Sequence, residues 1–410
     1  MSSGSLSYLG LLIIAVAALV TPMLAELVPG GLLPPIVLEV VAGIILGPQV
    51  TGLLHVDVTV EILSLMGLGF LLFLAGMELT PSSLWNRQAR LGMLAFVLAF
   101  GLSFPLAIGL RAAGASGDVR ILAIALTSTS LGVLVPVLRD VGEAGSEFGQ
   151  TVLVTATIGE FASLLLFTVL FSADPKSTPV QVLYVVGLAV SGFVAIVVIK
   201  WWWGSRWFRD SLTRLDETTS QLRVRAAFVL LLTFTALVSG FGLTSVLGTF
   251  VAGIVLKVAN QDTPSAVQER YLAKLNAIGF GFVVPVFFIV TGAQLDIRAV
   301  VTDGRTALLV PLILGGMVVA RGLTSVLLLR GGLTARGSLA MGAFQATSLT
   351  FPIIVATFGT NLHFLSAPTA AALIAAGLLS VVLMPALALF IRPWGLSASI
   401  DRPSEDKLHE

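Results

Sequence analysis

Residues 148–171 read FGQTVLVTATIGEFASLLLFTVLF, and this stretch contains a single charged side chain, Glu160, at its midpoint. An apolar run of about 20 residues is long enough to cross the hydrocarbon core of a bilayer as a helix. An ionised acid at the centre of such a helix costs roughly 2.5–3.5 kcal/mol on insertion scales. Because packing does not repay that cost, the position favours a proton or cation site. The alternative is a carboxyl that stays neutral or is locked to a basic neighbour.

The composition of the 410 residues places the whole chain in a membrane. Hydrophobic residues make up 56%, charged residues 11%, and the mean hydropathy is +1.01, whereas ordinary soluble domains carry about 25% charged residues. The net charge of +1 gives no indication of a nucleic-acid partner. The chain has no cysteine and its three histidines are scattered, so the sequence predicts neither a thiolate metal site nor a cofactor.

Polar and Pro/Gly-rich interruptions divide the chain into thirteen apolar segments. They cover approximately residues 7–28, 33–47, 57–79, 90–113, 119–138, 148–172, 178–203, 222–240, 243–257, 273–295, 305–329, 335–360 and 366–391. With the amino terminus outside, seventeen Lys and Arg residues fall on the inner side and five on the outer side. This asymmetry is typical of the positive-inside rule. We therefore expect a multi-pass, all-α protein of the plasma (inner) membrane, with its carboxyl terminus in the cytoplasm.

The second half of the chain repeats motifs of the first half. LEVVAGIIL (38–46) resembles GTFVAGIVL (248–256), the glycines of 67–79 are echoed in 279–295, and Thr-Ser-Leu occurs at both 129–131 and 347–349. Repeat partners are seven segments apart, so each copy crosses the bilayer in the opposite direction. Inverted repeats are typical of alternating-access transporters, whose substrate site lies near the midplane between the halves.

The fifth and twelfth segments are rich in hydroxyl groups and contain proline. They read ALTSTSLGVLVPVL (125–138) and FQATSLTFPIIVATFG (344–359). Proline breaks a helix locally, and unwound backbone at membrane depth is tolerated only where it is buried in protein or lines a cavity. The pattern predicts two broken helices that offer oxygens to a proton or monovalent cation together with Glu160, namely Thr127, Ser128, Thr129, Ser130, Gln345, Thr347 and Ser348. The alternative is that these hydroxyls bond only to their own helices.

Three further charged residues lie within the apolar segments. Arg321 is the only basic residue deep in a span; from its helix end we place it about 13 Å from the inner surface, against about 18 Å for Glu160. Arg321 therefore either compensates the charge of Glu160 directly or holds the ends of the broken helices. Glu39 and Glu78 lie nearer the cytoplasmic ends of their helices. They either line an entrance funnel or mark helix ends that reach water.

Several stretches of the sequence resemble a known protein family. LEVVAGIILGP (38–48), FLLFLAGMEL (70–79), ALTSTSLGVLVPVLRD (125–140), PVFFIVTGAQLD (285–296) and the broken twelfth segment are similar to the monovalent cation:proton antiporter superfamily. The branch is that of bacterial potassium-efflux and spore-germination sodium antiporters, and the resemblance covers residues 8–391. It implies two crossing, unwound helices, a proton- and cation-binding carboxylate on the sixth helix, a basic residue on the eleventh, and a homodimer formed through a scaffold.

Residue by residue, the resemblance carries the sixth-helix acid onto Glu160 and the eleventh-helix basic residue onto Arg321. The chain departs from the family at one point, because Gly159-Glu160 stands where relatives commonly have Asp-Asp, Asn-Asp or Gln-Asp. A longer acid without a polar neighbour leaves the choice of cation open.

The resulting prediction is one membrane transport domain over residues 1–392 and a cytoplasmic tail over 393–410. Its parts are a scaffold that dimerises (7–84 and 222–295), a linker helix (178–203) and an ion-transporting core (85–173 and 300–391). We expect a secondary antiporter of Na⁺ or K⁺ against H⁺ rather than an enzyme. The alternatives are a symporter or uniporter of an organic anion with Arg321 as its contact, and a non-transporting membrane subunit or sensor.

Overall fold

The structure, a computed structural model, describes residues 8–27, 34–78, 87–171, 178–204, 221–240, 245–261, 263–295, 297–329 and 334–391. The predicted tail over 393–410 lies outside the described residues. The described chain is almost entirely helical, apart from an isolated bridge between Gly117 and Leu365. The prediction of an all-α protein is therefore confirmed.

Among the described residues, the first half of the chain forms eight helices and the second half ten. The first set is α1 (Tyr8–Glu26), α2 (Pro35–Leu46), α3 (Val58–Glu78), α4 (Arg87–Ala112), α5 (Val119–Thr127), α6 (Leu131–Asp140), α7 (Glu147–Leu170) and α8 (Thr178–Gly204). The second set is α9 (Leu222–Gly240), α10 (Ser245–Ala259), α11 (Ser265–Ile278), α12 (Val284–Gln294), α13 (Ile297–Thr302), α14 (Gly304–Met317), α15 (Thr324–Leu329), α16 (Ala335–Gln345), α17 (Thr350–Asn361) and α18 (Ala367–Ile391). Single π-helical turns, Gly279–Val283 and Val318–Leu323, join α11 to α12 and α14 to α15.

Within the described ranges, nine helical stretches are long and apolar enough to cross a membrane. Four shorter apolar helices accompany them: Pro35–Leu46, Val119–Val135, Val186–Trp201 and Leu247–Ala259. These findings support a polytopic membrane protein, while the count of thirteen crossings stays a prediction.

Both of the spans predicted to be broken are interrupted. The chain leaves the helix after Thr127 and re-enters it at Leu131; it leaves again after Gln345 and re-enters at Thr350. The interruptions fall on the hydroxyl-rich stretches and precede both prolines. Pro352 is the third residue of α17, where a missing backbone N–H removes no intrahelical hydrogen bond. Proline therefore follows each break instead of causing it.

Close glycine contacts between helix backbones occur at equivalent positions in the two halves of the internal repeat. A Cβ atom at Gly43 of α2 would collide with the carbonyl of Ile289, and one at Gly292 of α12 with the carbonyl of Val40. The equivalent crossing of α3 and α10 has the same form, because Gly76 abuts the Phe250 carbonyl and Gly253 abuts that of Phe73. Gly43 and Gly253 are repeat partners, as are Gly76 and Gly292. The two crossings are therefore copies of each other, as an inverted repeat requires.

Helix contacts fall mainly into two groups. In the first, α2 packs on α12, α3 on α10 and α12, and α9 on α10. In the second, α4 packs on α5 and α7, and α18 packs on α14, α16 and α17. The linker helix α8 contacts α10 of the first group and α7 of the second. The division into scaffold, linker and core remains a prediction that this packing supports.

Candidate functional site

Glu160 lies in the middle of α7 and is 5% exposed. The backbone N–H of Leu131, the first residue of α6, donates to its Oε2 atom over 3.0 Å. The first N–H groups of a helix have no partner within the helix, and the aligned peptide dipoles make that end positive. The break before α6 thus supplies both a donor and a favourable potential for the buried carboxylate.

A cavity of about 1030 Å³ lies next to this site. Leu131, which bonds Glu160, and Thr157, three residues before it on α7, belong to the cavity wall. Glu39 and Glu78 line the same cavity, where the sequence predicted a possible funnel. On the carboxyl-terminal side of Glu160, Phe161 of α7 stacks on Phe250 of α10, with ring centroids 5.3 Å apart. Glu160 therefore lies next to the cavity wall formed by Leu131 and Thr157, and the Phe161–Phe250 contact follows it directly along α7.

Ser130 ties the two unwound segments together. Its backbone N–H donates to the Thr347 carbonyl over 2.8 Å, and its Oγ atom accepts from the N–H groups of Leu349 and Thr350 over 2.8 and 3.0 Å. The last two donors begin α17, where no intrahelical acceptor is available. One buried serine thus caps the helix of the other repeat and fixes the crossing.

The neighbouring hydroxyl groups also form hydrogen bonds between the two unwound segments. Ser128 Oγ lies 2.6 Å from Ser348 Oγ, and Thr129 Oγ1 donates to the Gln345 carbonyl over 2.7 Å. All seven predicted oxygen ligands are fully buried, and the structure brings them together: Thr127, Ser128, Thr129, Ser130, Gln345, Thr347 and Ser348. Their hydrogen bonds give them a structural role here. Direct contact of any of them with a cation stays a prediction.

Arg321 is fully buried in the π-helical turn between α14 and α15. Its Nε atom donates to Thr129 Oγ1 over 3.0 Å, and its Nη2 atom donates to Gln345 Oε1 over 2.7 Å and to the Thr155 carbonyl over 3.3 Å. One guanidinium therefore bonds to both unwound segments and to α7. Its partner Thr129 lies two residues after the end of α5, and its partner Gln345 is the last residue of α16. Positive charge is favourable at the negative carboxyl ends of helices.

Gly159 makes this position of the guanidinium possible. A Cβ atom at residue 159 would collide with Nη2 of Arg321 and lie 2.9 Å from its Cζ atom. The departure from the family pattern at Gly159 thus has a local physical reason. The space that a side chain at residue 159 would take is occupied by Arg321.

Arg321 and Glu160, both within the described part of the chain, form no ion pair with each other. Of the two predicted roles for Arg321, the structure shows the contact with the broken helices. Similar depth in the membrane did not imply contact, because depth fixes the height of a residue along a helix and not the direction in which it points.

Three contributors to the site were missed in the sequence. Ser380 of α18 accepts from the N–H of Ser348 over 2.9 Å, Ser163 lies 3.4 Å from Thr127, and Thr155 supplies its carbonyl to Arg321. Ser163 could have been recognised in the sequence, since it follows Glu160 by three residues and shares its face of the helix. The Thr155 carbonyl could not, because any residue type offers the same backbone oxygen.

We expect Ser130→Ala to destabilise the protein more than an ordinary interhelical hydroxyl loss, which costs about 0.6 kcal/mol in membranes. The change leaves two buried N–H groups without an acceptor, at roughly 1–3 kcal/mol each. Thermal unfolding in detergent measures the effect. Ser103→Ala is a matched control because Ser103 is equally buried but bonds only to Phe100 of its own helix. Equal unfolding temperatures for the two variants would contradict this role of Ser130.

The sequence of the chain matches a known protein family. A sequence profile described as "Sodium/hydrogen exchanger, transmembrane" matches residues 13–389. The putative Na⁺/H⁺ antiporter YjbQ of Bacillus subtilis is 26% identical over 397 residues, which are 92% of this chain and 62% of that protein. The chain therefore spans less than two thirds of that relative's length. The Na⁺/H⁺-K⁺ antiporter GerN of Bacillus cereus is 26% identical over 78% of this chain and 88% of its own.

The fold also resembles a solved structure. The sodium proton antiporter MjNhaP1 from Methanocaldococcus jannaschii superimposes with a TM-score of 0.61 over 93% of this chain and 98% of that chain, at 17% identity. At this identity the likeness concerns the fold alone. The family profile covers nearly the whole membrane region, and the chain belongs to the sodium/hydrogen exchanger family.

Proposed function

We propose that the chain is a secondary antiporter that exchanges Na⁺ or K⁺ for H⁺, with Glu160 binding the two ions in turn. The observation that carries the proposal is the environment of Glu160. This carboxylate is buried, its only hydrogen bond among the described residues comes from the Leu131 N–H, and Leu131 itself lines the cavity. A buried carboxylate is stabilised by one positive charge. A proton and a monovalent cation both satisfy that need, and they exclude each other.

Arg321 leaves this exchange undisturbed because its guanidinium is directed into the helix crossing. A basic side chain bonded to Glu160 would act as a tethered competitor for the transported cation. In the present arrangement Arg321 holds both unwound segments, and Glu160 stays available to ions from the cavity. The hydroxyls around Ser130 then act as a rigid frame that keeps the α6 amino terminus against the carboxylate.

The same geometry disfavours an organic anion as the substrate. Two of the three guanidinium nitrogens of Arg321 already donate to protein oxygens. Among the described residues, the cavity wall carries three acids, Glu26, Glu39 and Glu78, against one base, Lys257. A site with this sign of charge attracts cations and repels anions.

Transport follows, in this proposal, from movement of the core helices α4–α7 and α14–α18 against the scaffold helices α1–α3 and α9–α12. Glu160 belongs to the core, and the cavity lies between it and the scaffold residues Glu39 and Glu78. A relative displacement closes this entrance and opens the side that the Phe161–Phe250 contact now closes. The scaffold also provides the surface for a homodimer, and the positive-inside pattern makes the open side the cytoplasm.

Proton flux in proteoliposomes, followed with a pH-sensitive dye, tests the function. We expect addition of Na⁺, K⁺ or Li⁺ to drive proton movement that protein-free vesicles do not show, and the scan across the three cations gives the selectivity. If none of the cations changes the proton flux of the reconstituted protein, the antiport proposal is wrong.

The orientation makes a separate prediction. The natural chain contains no cysteine, so single cysteines at Ser2 and Ser404 report on the two termini without a background signal. Because an odd number of spans puts the termini on opposite faces, a membrane-impermeant thiol reagent applied to intact cells should label the Ser2→Cys protein and not the Ser404→Cys protein. Labelling of Ser404→Cys only after the membrane is opened serves as the control. Labelling of both from one face would require an even number of spans.

A further inference from the structure

Glu39 is a second buried carboxylate, and the proposed exchange at Glu160 does not use it. It is 6% exposed, and its Oε2 atom is shielded from solvent without a hydrogen-bond partner among the described residues. Buried polar atoms in proteins nearly always have a partner, because an unpaired one costs free energy. A cation from the adjoining solution supplies the positive partner that this oxygen lacks among the described residues.

The position of Glu39 gives such an ion access. Glu39 lines the same cavity of about 1030 Å³ that ends at Leu131 and Thr157 beside Glu160. Among the described residues of its wall, three acids stand against one lysine, and a negative surplus of this kind attracts cations from the adjoining solution. A cation that enters it meets Glu39 in the wall and reaches Leu131, whose N–H binds Glu160.

The two carboxylates are held by different groups of helices. The residue after Glu39 is Val40, whose carbonyl lies against Gly292 of α12, and Gly43 one turn later lies against Ile289. This close crossing fixes α2 on α12, whereas Glu160 is fixed by α6 at the crossing of the broken helices. The carboxylate of Glu39 therefore stays in place relative to the scaffold while Glu160 belongs to the proposed moving core.

We propose that Glu39 is a second binding site for a monovalent cation, at which the ion is held before it reaches Glu160. The identity of the ion, Na⁺ or K⁺, rests on the proposed function. A single carboxylate in the cavity wall suits a cation that keeps part of its hydration shell. A divalent ion such as Ca²⁺ demands six to eight oxygen ligands, which a single side chain does not provide.

Equilibrium binding of radioactive Na⁺, and of Rb⁺ as a tracer for K⁺, tests the site in detergent-solubilised protein. In Glu160→Gln protein we expect residual cation binding, and we expect the Glu39→Gln/Glu160→Gln double variant to lose it. Glu26→Gln/Glu160→Gln is the matched control, since it removes an acid from the same cavity wall at an exposed helix end, and it should keep the residual binding. Absence of binding in Glu160→Gln protein, or equal binding in the Glu39 double variant, would overturn the proposal.

Transport by the single Glu39→Gln variant provides a second readout. We expect the cation concentration for half-maximal proton flux to rise several-fold, with the maximal rate kept; flux at saturating cation then also shows that the protein folds. An unchanged concentration dependence contradicts the site. If Glu39→Gln abolishes flux altogether, Glu39→Asp must restore it, and failure to do so also overturns the proposal. Absence of exchange in the wild-type protein would refute antiport, while the binding comparison would still decide the role of Glu39.

Discussion

Glu160→Gln protein is expected to insert and fold, yet to lose cation-dependent proton flux down to the background of protein-free vesicles. The amide oxygen of glutamine still accepts the hydrogen bond from the Leu131 N–H that Glu160 accepts over 3.0 Å. The local frame is thereby preserved. The amide cannot ionise, however, so it neither carries a proton nor attracts a cation. The change removes the exchange chemistry while leaving the shape of the site in place.

Two control variants make this result specific. Glu147→Gln removes an exposed acid from the first turn of the same helix, and its flux should equal that of the wild type. Glu160→Asp keeps the charge with a shorter side chain, which is the acid that the resembling antiporters carry, and should retain part of the flux. Cation-dependent flux of wild-type size in Glu160→Gln protein would show that another group carries the ions.

Loss of Arg321 is expected to have the second largest effect. Arg321→Ala removes the hydrogen bonds to Thr129, Gln345 and the Thr155 carbonyl. Each buried acceptor left without a donor costs roughly 1–3 kcal/mol, and the alanine leaves a cavity where the two broken helices meet. We therefore predict a lower unfolding temperature in detergent and a large decrease in flux, because the crossing no longer holds the α6 amino terminus against Glu160.

Arg321→Lys separates geometry from charge. Lysine restores the positive charge as a compact ammonium group that does not reproduce the forked contacts of a guanidinium, so we expect little rescue. Gly159→Ala should act in the same direction but more weakly, because its methyl group displaces the guanidinium from its position on α7. Arg305→Ala, an exposed arginine at the start of α14, is the matched control.

Recovery of both stability and flux in Arg321→Lys protein would contradict the bridging role. A variant of Arg321 that keeps its unfolding temperature but shifts its pH–activity profile would point instead to a direct pairing with Glu160 during the transport cycle. Thermal unfolding and flux measured at several pH values distinguish the two roles.

Much of the architecture was predictable because hydrophobic segments and helix breaks obey local rules. The apolar run around Glu160 forms the single helix α7, and the two hydroxyl-rich stretches unwind. The repeated glycines could be recognised in the sequence, and the structure shows what they contact. Gly43 packs against α12 and Gly253 against α3 in equivalent close contacts. Small residues at helix crossings let backbones approach closely, whatever the surrounding sequence.

The details of the site were less accessible to sequence reasoning. Whether Arg321 turns toward Glu160 or toward Gln345 depends on the rotation of α14 about its axis and on the empty space above Gly159. Both are set by tertiary packing. The hydroxyls near Ser130 could be recognised as unusual for an apolar helix, but their pairing across the two repeats could not, because it joins residues about two hundred positions apart.

The identification of Glu39 illustrates the same limit. Its sequence position near a helix end was compatible with simple exposure to water, the alternative considered for the funnel acids. Its side chain is instead buried, with an unpaired oxygen. Only the packing of α2 against its neighbours distinguishes a hydrated helix end from an enclosed carboxylate.

The central claim, that a proton and a cation occupy Glu160 in turn, is tested most directly by proton release on cation binding. The measurement uses weakly buffered, detergent-solubilised protein with a pH indicator, in the Glu39→Gln background so that the second carboxylate of the cavity does not contribute. We predict that Na⁺ or K⁺ releases protons from Glu39→Gln protein and that the Glu39→Gln/Glu160→Gln protein releases none. Equal proton release from the two proteins, or cation binding by Glu39→Gln protein without any release, would contradict the claim.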